Sequence, residues 1–221
     1  RWRGAAAVML LLCSGRGRGR RKRVPDVWRQ QSFGVFRDTD DILPTEEWRG
    51  RLEELIAEAD TVVFLLSPAS AASEVCAWEV EHATQLNKRI APIVIEDVPG
   101  DAIPPLLARL NFIFCTDRDP FENAVRSLVS ALNTDIGWIR EHTRLAGLAR
   151  RWAAAGNPSR LLLRGQDILD AELWRDGRPP EAPTVTSHQA RFIADSRRAA
   201  SRRQRYWIGG SVAIAASTAA L

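Results

Sequence analysis

The sequence offers few side chains that could do chemistry, and most do not follow the spacing of a known site. Carboxylate oxygens suit Mg²⁺, and three aspartates lie together, Asp38, Asp40 and Asp41. No glycine follows them at calcium-loop spacing, so we interpret them as residues of a polar loop. The histidines are too scattered to predict a zinc site: His82, His142 and His188. The chain also lacks the nucleophile-elbow, phosphate-loop and dinucleotide-binding motifs.

Glu79 lies beside Trp78, two residues before Glu81 and three before His82. From spacing alone, a solvated helix residue is the simpler interpretation of Glu79. Its i, i+3 relation to His82 predicts a surface pair rather than a catalytic dyad. Trp48 could stack on the planar ring of a ligand, but its helical spacing favours burial in the core.

Strands and helices alternate along the middle of the chain. The predicted strands are 33–36, 61–66, 90–95 and 112–114, and the predicted helices are 45–59, 73–87 and 119–132. The run TVVFLL over 61–66 is typical of a strand buried on both faces. This alternation predicts an α/β fold in which helices cover both faces of a parallel sheet. A ligand site then lies at the carboxyl ends of the strands, in the loops after Phe36, Leu66, Ile95 and Phe114.

Four segments of this region resemble one family in their order and spacing. Residues 35–48, VFRDTDDILPTEEW, resemble the second strand and the BB loop of a bacterial TIR (Toll/interleukin-1 receptor) domain, with Thr45 where glycine is usual. Residues 60–68, DTVVFLLSP, and 88–94, KRIAPIV, look like the third and fourth strands. Residues 73–81, SEVCAWEVE, resemble the Ser-x-Trp-Cys-x-x-Glu helix start, with Val75 in the aromatic place. The resemblance implies a flavodoxin-like TIR fold over residues 32–133.

The TIR resemblance also implies a function, because this family contains both NAD⁺ glycohydrolases and pure interaction modules. Glu79 matches the catalytic position, with NAD⁺ as a substrate and neither cofactor nor metal. The other residues expected at the substrate are Trp48, Asp38, Ser73 and Cys76. The BB loop is expected to bind other TIR domains in a homo-oligomer through Asp40, Asp41, Ile42, Leu43 and Pro44. The alternative is a scaffold without catalysis, which only recruits partner TIR domains through residues 37–47.

Composition excludes several classes of protein. Hydrophobic residues make up 45% and charged residues 26% of the chain, which excludes wholesale disorder, a collagen and a polytopic membrane protein. Three cysteines in 221 residues exclude a disulfide scaffold and favour a reducing compartment. We expect Cys76 and Cys115 to be small buried residues.

Charge divides the chain into three parts. The net charge is +4, but residues 1–31 carry +8 and residues 191–207 carry +5, which leaves −9 for residues 32–190. The basic pI therefore does not predict a nucleic-acid partner. Residues 1–31 do not match the usual first TIR strand, and the chain begins with Arg1 rather than Met. We expect a fragment with a broken gene start, in which that central strand is missing. The alternative is that Ala7 to Cys13 takes its place.

The C-terminal part resembles a different element. Residues 134–205 look like the helical connector that joins an effector domain to a membrane span and a WD-repeat propeller in large bacterial signalling proteins. Six arginines over 191–205 precede Tyr206, Trp207 and uncharged residues to Leu221. This order predicts the start of a truncated transmembrane helix over 206–221. A cytoplasmic TIR domain would then be anchored to the inner membrane, and the propeller would lie beyond Leu221.

Overall fold

A computed structural model describes residues 7–11, 34–37, 48–116 and 121–218 of the chain. These residues divide into two compact units. The first unit extends to Thr143 and includes the later segment Pro179–Thr184, and the second holds Arg144–Arg178 and the chain from Val185 onward.

The first unit is built on a parallel sheet. Its described strands are β1 (Ala7–Leu11), β2 (Gly34–Arg37), β3 (Thr61–Leu66), β4 (Arg89–Val94) and β5 (Ile113–Phe114), in the order β2-β1-β3-β4-β5. Each pair of neighbouring strands is parallel. The predicted α/β fold is therefore confirmed, and the four predicted strands lie within one residue of their expected positions.

The expectation that the first strand is missing is wrong. Val8 pairs with Val35 of β2 and with Thr61 of β3, so β1 lies inside the sheet. Asp60 fixes the start of β1, because its amide donates to the Ala7 carbonyl at 2.7 Å and its carboxylate accepts from the Ala7 amide at 2.9 Å. The alternative assignment within Ala7–Cys13 is confirmed. A run of five residues, AVMLL, is long enough for an inner parallel strand.

Helices cover both faces of this sheet. They are α1 (Trp48–Glu58), α2 (Pro68–Ala71), α3 (Glu74–Gln85), α4 (Pro105–Ala108), α5 (Phe121–Asn133) and the first part of α6 (Ile136–Ala154), with a 3-10 turn at Gly100–Ala102. Val62, Phe64 and Leu66 of β3 pack with the apolar residues of α1, α3 and α4. Val63 and Leu65 pack with those of α5. All of β3 is buried, which confirms the prediction of a strand covered on both faces.

The second unit is helical. It contains the rest of α6, a 3-10 turn at Ser159–Leu161, α7 (Gln166–Asp176) and α8 (Ser187–Thr218). The rings of Trp152 and Phe192 meet in its core with centroids 5.5 Å apart. Arg197 of α8 and Glu172 of α7 form an ion pair, which joins these two helices. Within the described ranges, no helix is both long and apolar enough to cross a membrane. The predicted start of a span over 206–221 is therefore not supported.

Candidate functional site

The candidate site is organised by α3, which begins at the edge of the sheet where β3 ends. Only residues 67–73 separate Leu66, the last residue of β3, from Glu74, the first residue of α3. Ser73 is the N-cap of α3, because its hydroxyl accepts a hydrogen bond from the Cys76 amide at 3.3 Å. The structure thus places Ser73, a predicted substrate-binding residue, where it holds the start of the helix. The first turns of α3 lie at the edge where parallel sheets bind ligands.

Glu79 lies on the buried face of α3. The buried residues of this helix are Cys76, Glu79, Val80 and Ala83, a stripe with the period of a helix face. The Glu79 side chain is 1% exposed. The interpretation as a solvated residue is therefore wrong, and a pair with His82 would not lie at the surface. A glutamate is rarely buried among apolar residues without a polar role, because burial of a carboxylate is costly.

An aromatic cluster lies next to Glu79 in the sequence and joins α3 to the start of α1. The Trp78 ring is edge-on to the Trp48 ring, with centroids 6.3 Å apart and planes at 75°. It is also stacked on the His82 imidazole, with centroids 5.6 Å apart and planes at 12°. The Arg49 guanidinium carbon lies 5.0 Å from the Trp78 centroid and 5.6 Å from the Trp48 centroid. These are cation–π distances.

Trp48 does not belong to the core, contrary to the prediction from its spacing. Its helix buries Leu52, Leu55 and Ile56, but Trp48 itself is 44% exposed. Trp48 is the first residue of α1, and its ring contacts the cluster on α3 rather than the interior. One part of the ring is therefore available to another molecule.

The remaining predicted site residues are either buried or outside the described part of the chain. Cys76 is buried at 0% exposure and Cys115 at 1%, which confirms the predicted burial of both. Asp38 of the predicted substrate set lies outside the described residues. The same holds for the BB-loop residues Asp40, Asp41, Ile42, Leu43 and Pro44. Among the residues that the structure does describe, no group of three His, Cys, Asp or Glu side chains could hold a metal ion.

Sequence reasoning missed two members of the cluster. Arg49 carried no signal, because a cation one residue after Trp48 on an amphipathic helix is ordinary. Trp78 was noticed only as a neighbour of Glu79, and its contact with Trp48 joins positions 30 residues apart. The i, i+4 spacing of Trp78 and His82 is the one local signal that could have predicted part of this arrangement.

The chain is similar to several solved structures. A search of curated proteins found no match. The TIR domains of the activated Roq1 resistosome, which directly recognises the pathogen effector XopQ, are 13% identical, with a TM-score of 0.47, over 58% of this chain and 99% of that one. The TIR domain of the Toll-related receptor TRR-2 from Hydra magnipapillata is 16% identical, with a TM-score of 0.47, over 57% of this chain and 96% of that one. The TIR-STING receptor from C. gigas is 21% identical, with a TM-score of 0.48, over 68% of this chain and 51% of that one. At these values the likenesses carry no information about activity.

The family assignment comes from the sequence. The family model described as "TIR domain" matches residues 14–129, which is 116 of the 221 residues. The matched range contains β2 to β5, the helices between them, and Glu79. The chain belongs to the TIR domain family.

Proposed function

We propose that the chain is a TIR signalling effector that hydrolyses NAD⁺ to nicotinamide and ADP-ribose, or to a cyclic variant, when it self-assembles. One observation carries the proposal: Glu79, at the position that matches the family's catalytic glutamate, lies on the buried face of α3. A helix residue kept only for solubility would be on the opposite face.

The reaction suits a single carboxylate. The bond between C1′ of the ribose and the pyridinium nitrogen breaks, and its electron pair neutralises the positive charge of the ring. Nicotinamide therefore leaves as a neutral amine, and no general acid is needed, unlike at an ordinary glycosidic bond. The carboxylate of Glu79 would stabilise the positive charge that develops on the sugar. Water then adds to C1′ and releases one proton to solvent.

The burial of Glu79 also predicts a dependence on assembly. A side chain that is 1% exposed cannot meet a dinucleotide until the surrounding structure moves. The TIR resemblance implies that the BB loop of one copy packs against another copy, and such packing would complete the site. Other TIR domains, in the first place further copies of this chain, are therefore the proposed partners.

The experiment measures nicotinamide release by the full chain, both dilute and clustered on a multivalent support. We expect release only from the clustered chain, and its loss in Glu79→Gln, which keeps the size of the side chain. Glu81→Gln is the matched control, because Glu81 is exposed on the same helix and accepts a hydrogen bond from Gln85. Release that survives Glu79→Gln would disprove the assigned role. No release from a clustered, folded chain would favour the scaffold.

A further inference from the structure

The strongest unassigned feature of the first unit is a cavity of about 430 Å³ at the amino ends of the strands, which we call the amino-end cavity. Thr61 and Arg89, which begin β3 and β4, are part of its lining. Residues of α5, of α6 and of the segment Pro179–Thr184 also line it, and every lining residue belongs to the first unit. We infer that the amino-end cavity binds a small organic cation with an apolar body.

The amino-end cavity is separate from the candidate site at Glu79. The helix that carries Glu79, α3, begins at the opposite edge of the sheet, where β3 ends. The six residues of β3 separate the two edges by about 17 Å, at about 3.3 Å per residue. No residue of α3 is among the described residues that line the cavity. A ligand in this cavity would therefore be distinct from the substrate proposed at Glu79.

The walls of the cavity suit an organic molecule rather than a bare ion. Their apolar members include Ile90, Ala91, Phe112, Ile113 and Ile139. The cavity volume lies within the range of about 300–1,000 Å³ of small-molecule sites, which combine mainly apolar walls with a few polar groups. The ligand should therefore bury an apolar body, such as an aromatic ring, against these side chains.

Arg89 is the cation of the described lining, and its hydrogen bonds stay within the fold. Its Nε donates to Thr61 Oγ1 at 2.9 Å. Its Nη1 donates to the Thr134 carbonyl at 2.6 Å, and its Nη2 donates to the Leu132 carbonyl at 2.8 Å. Each nitrogen of the guanidinium thus already has a protein acceptor. Arg89 therefore does not make the cavity a site for anions.

Two carboxylates give the lining its negative charge. Asp135 and Glu181 both line the cavity, and both residues are exposed. Neither forms an ion pair with another residue that the structure describes. Together with the one guanidinium of Arg89, the two carboxylates give the described lining a net charge of −1. This charge favours a cation over an anion of the same size.

The segment Pro179–Thr184 holds Glu181 at the cavity. The Asn87 side-chain amide donates to the Thr184 carbonyl at 3.4 Å and to its Oγ1 at 3.1 Å. Ala182, directly after Glu181, is 5% exposed. Three of the six residues are prolines, which restrict the backbone. A cation that binds beside Glu181 would therefore not have to order this segment, which lowers the cost of binding.

The test uses two probes that share an indole ring and differ in charge, tryptamine and indole-3-propionate. Their binding to the full chain is followed at neutral pH in two-dimensional amide NMR spectra. We expect tryptamine to bind saturably and to shift the amides of Ala91, Ile113 and Ser127, but not those of α3. Tryptamine should bind at least about fivefold more tightly than indole-3-propionate, because the lining carboxylates attract one probe and repel the other.

Two variants locate the probe. Glu181→Gln should weaken tryptamine about two- to fivefold, the range for loss of one exposed charge pair. Its matched control is Glu122→Gln, because Glu122 is exposed on α5 and does not line the cavity.

Ser127→Trp should abolish binding, because Ser127 is an exposed lining residue of α5 and the new indole would occupy the cavity. Ser130→Trp is the control for this change, since Ser130 is exposed on the same helix outside the lining. The amide spectra also show whether each variant is folded. If Ser127→Trp does not fold, Glu181→Gln and its control decide the outcome.

A neighbouring cavity provides the opposite result. It measures about 220 Å³, shares Arg89 and Glu181 with the amino-end cavity, and also has Arg109 in its lining. If indole-3-propionate binds as tightly as tryptamine and Arg109→Gln removes that binding, the site takes anions and the inference is overturned. Tryptamine that does not bind the parent chain, or that binds Ser127→Trp or Glu181→Gln as tightly as the parent, overturns it as well.

Discussion

Val8 tests whether β1 is a true part of the sheet. Its side chain is fully buried and packs with Val63, Leu65 and Ile93 beneath α5. Val8→Ala removes two buried methyl groups, worth about 1.6 kcal/mol at about 0.8 kcal/mol each. The cavity left behind raises the expected loss of unfolding free energy to about 2–3 kcal/mol. For a chain of this length, that corresponds to a fall in Tm of about 4–12 °C.

Val8→Asp should be far more damaging, because an unpaired carboxylate would be buried in the same place. Its cost, several kcal/mol, is comparable with the whole stability of a domain, about 5–15 kcal/mol. The unfolding temperature of both variants is measured by circular dichroism during heating. Val75→Asp is the control, because Val75 is 44% exposed on α3. If Val8→Asp unfolds at the same temperature as the parent chain, β1 does not lie in the sheet and the reasoning is refuted.

Three further predictions concern stability and pH. Lys88→Met should lower the unfolding free energy by about 2–4 kcal/mol in urea titrations. The reason is that the Lys88 ammonium donates to the carbonyls of Ala57 and Ala59 at 2.8 Å each. An unchanged midpoint of the urea unfolding curve would contradict this prediction. Ser73→Ala should cost about 1 kcal/mol in the same assay through loss of the α3 N-cap, and Ser73→Asp should restore most of it. Burial lowers the pKa of His142 to about 4, below about 6.5 in the unfolded chain. Between about pH 4 and pH 6.5 the unfolded chain therefore binds a proton that the folded chain does not. The contribution of His142 to the free energy of unfolding is complete above about pH 6.5. Up to about 3 kcal/mol of it is lost as the pH falls from 6.5 to 4. Unfolding in urea across this pH range should show that slope, and His142→Gln should flatten it.

The alternation of strands and helices was predictable because it follows from the local spacing of apolar residues. The apolar run of β3 and the i, i+3, i+4 stripe of Leu52, Leu55 and Ile56 each report burial without knowledge of any partner. The same holds for the start of α3, because Ser73 is an N-cap residue by type. These signals, in family order, were enough to predict a parallel α/β fold and to single out Glu79.

The first strand was not predictable in the same way. The segment Ala7–Leu11 is a short apolar run followed by a Gly/Arg tract, and nothing local in it indicates a strand inside the sheet. Its position is decided by β2 and β3, which would each leave a row of backbone groups unpaired if β1 were absent. The hydrogen bonds between Ala7 and Asp60 add a contact across 53 residues that no local pattern contains.

By itself, then, the sequence determined the alternation of strands and helices from β2 to α5 and which face of α1 is apolar, because those properties depend on neighbours along the chain. Only the tertiary structure decided that Glu79 is buried rather than solvated, and that Trp48 is at the surface rather than in the core. Each outcome depends on which residues from elsewhere in the chain pack against the helix that carries the side chain, α3 for Glu79 and α1 for Trp48. Side-chain burial is a property of the assembled layers, and it is in this respect that the candidate site differs from its prediction.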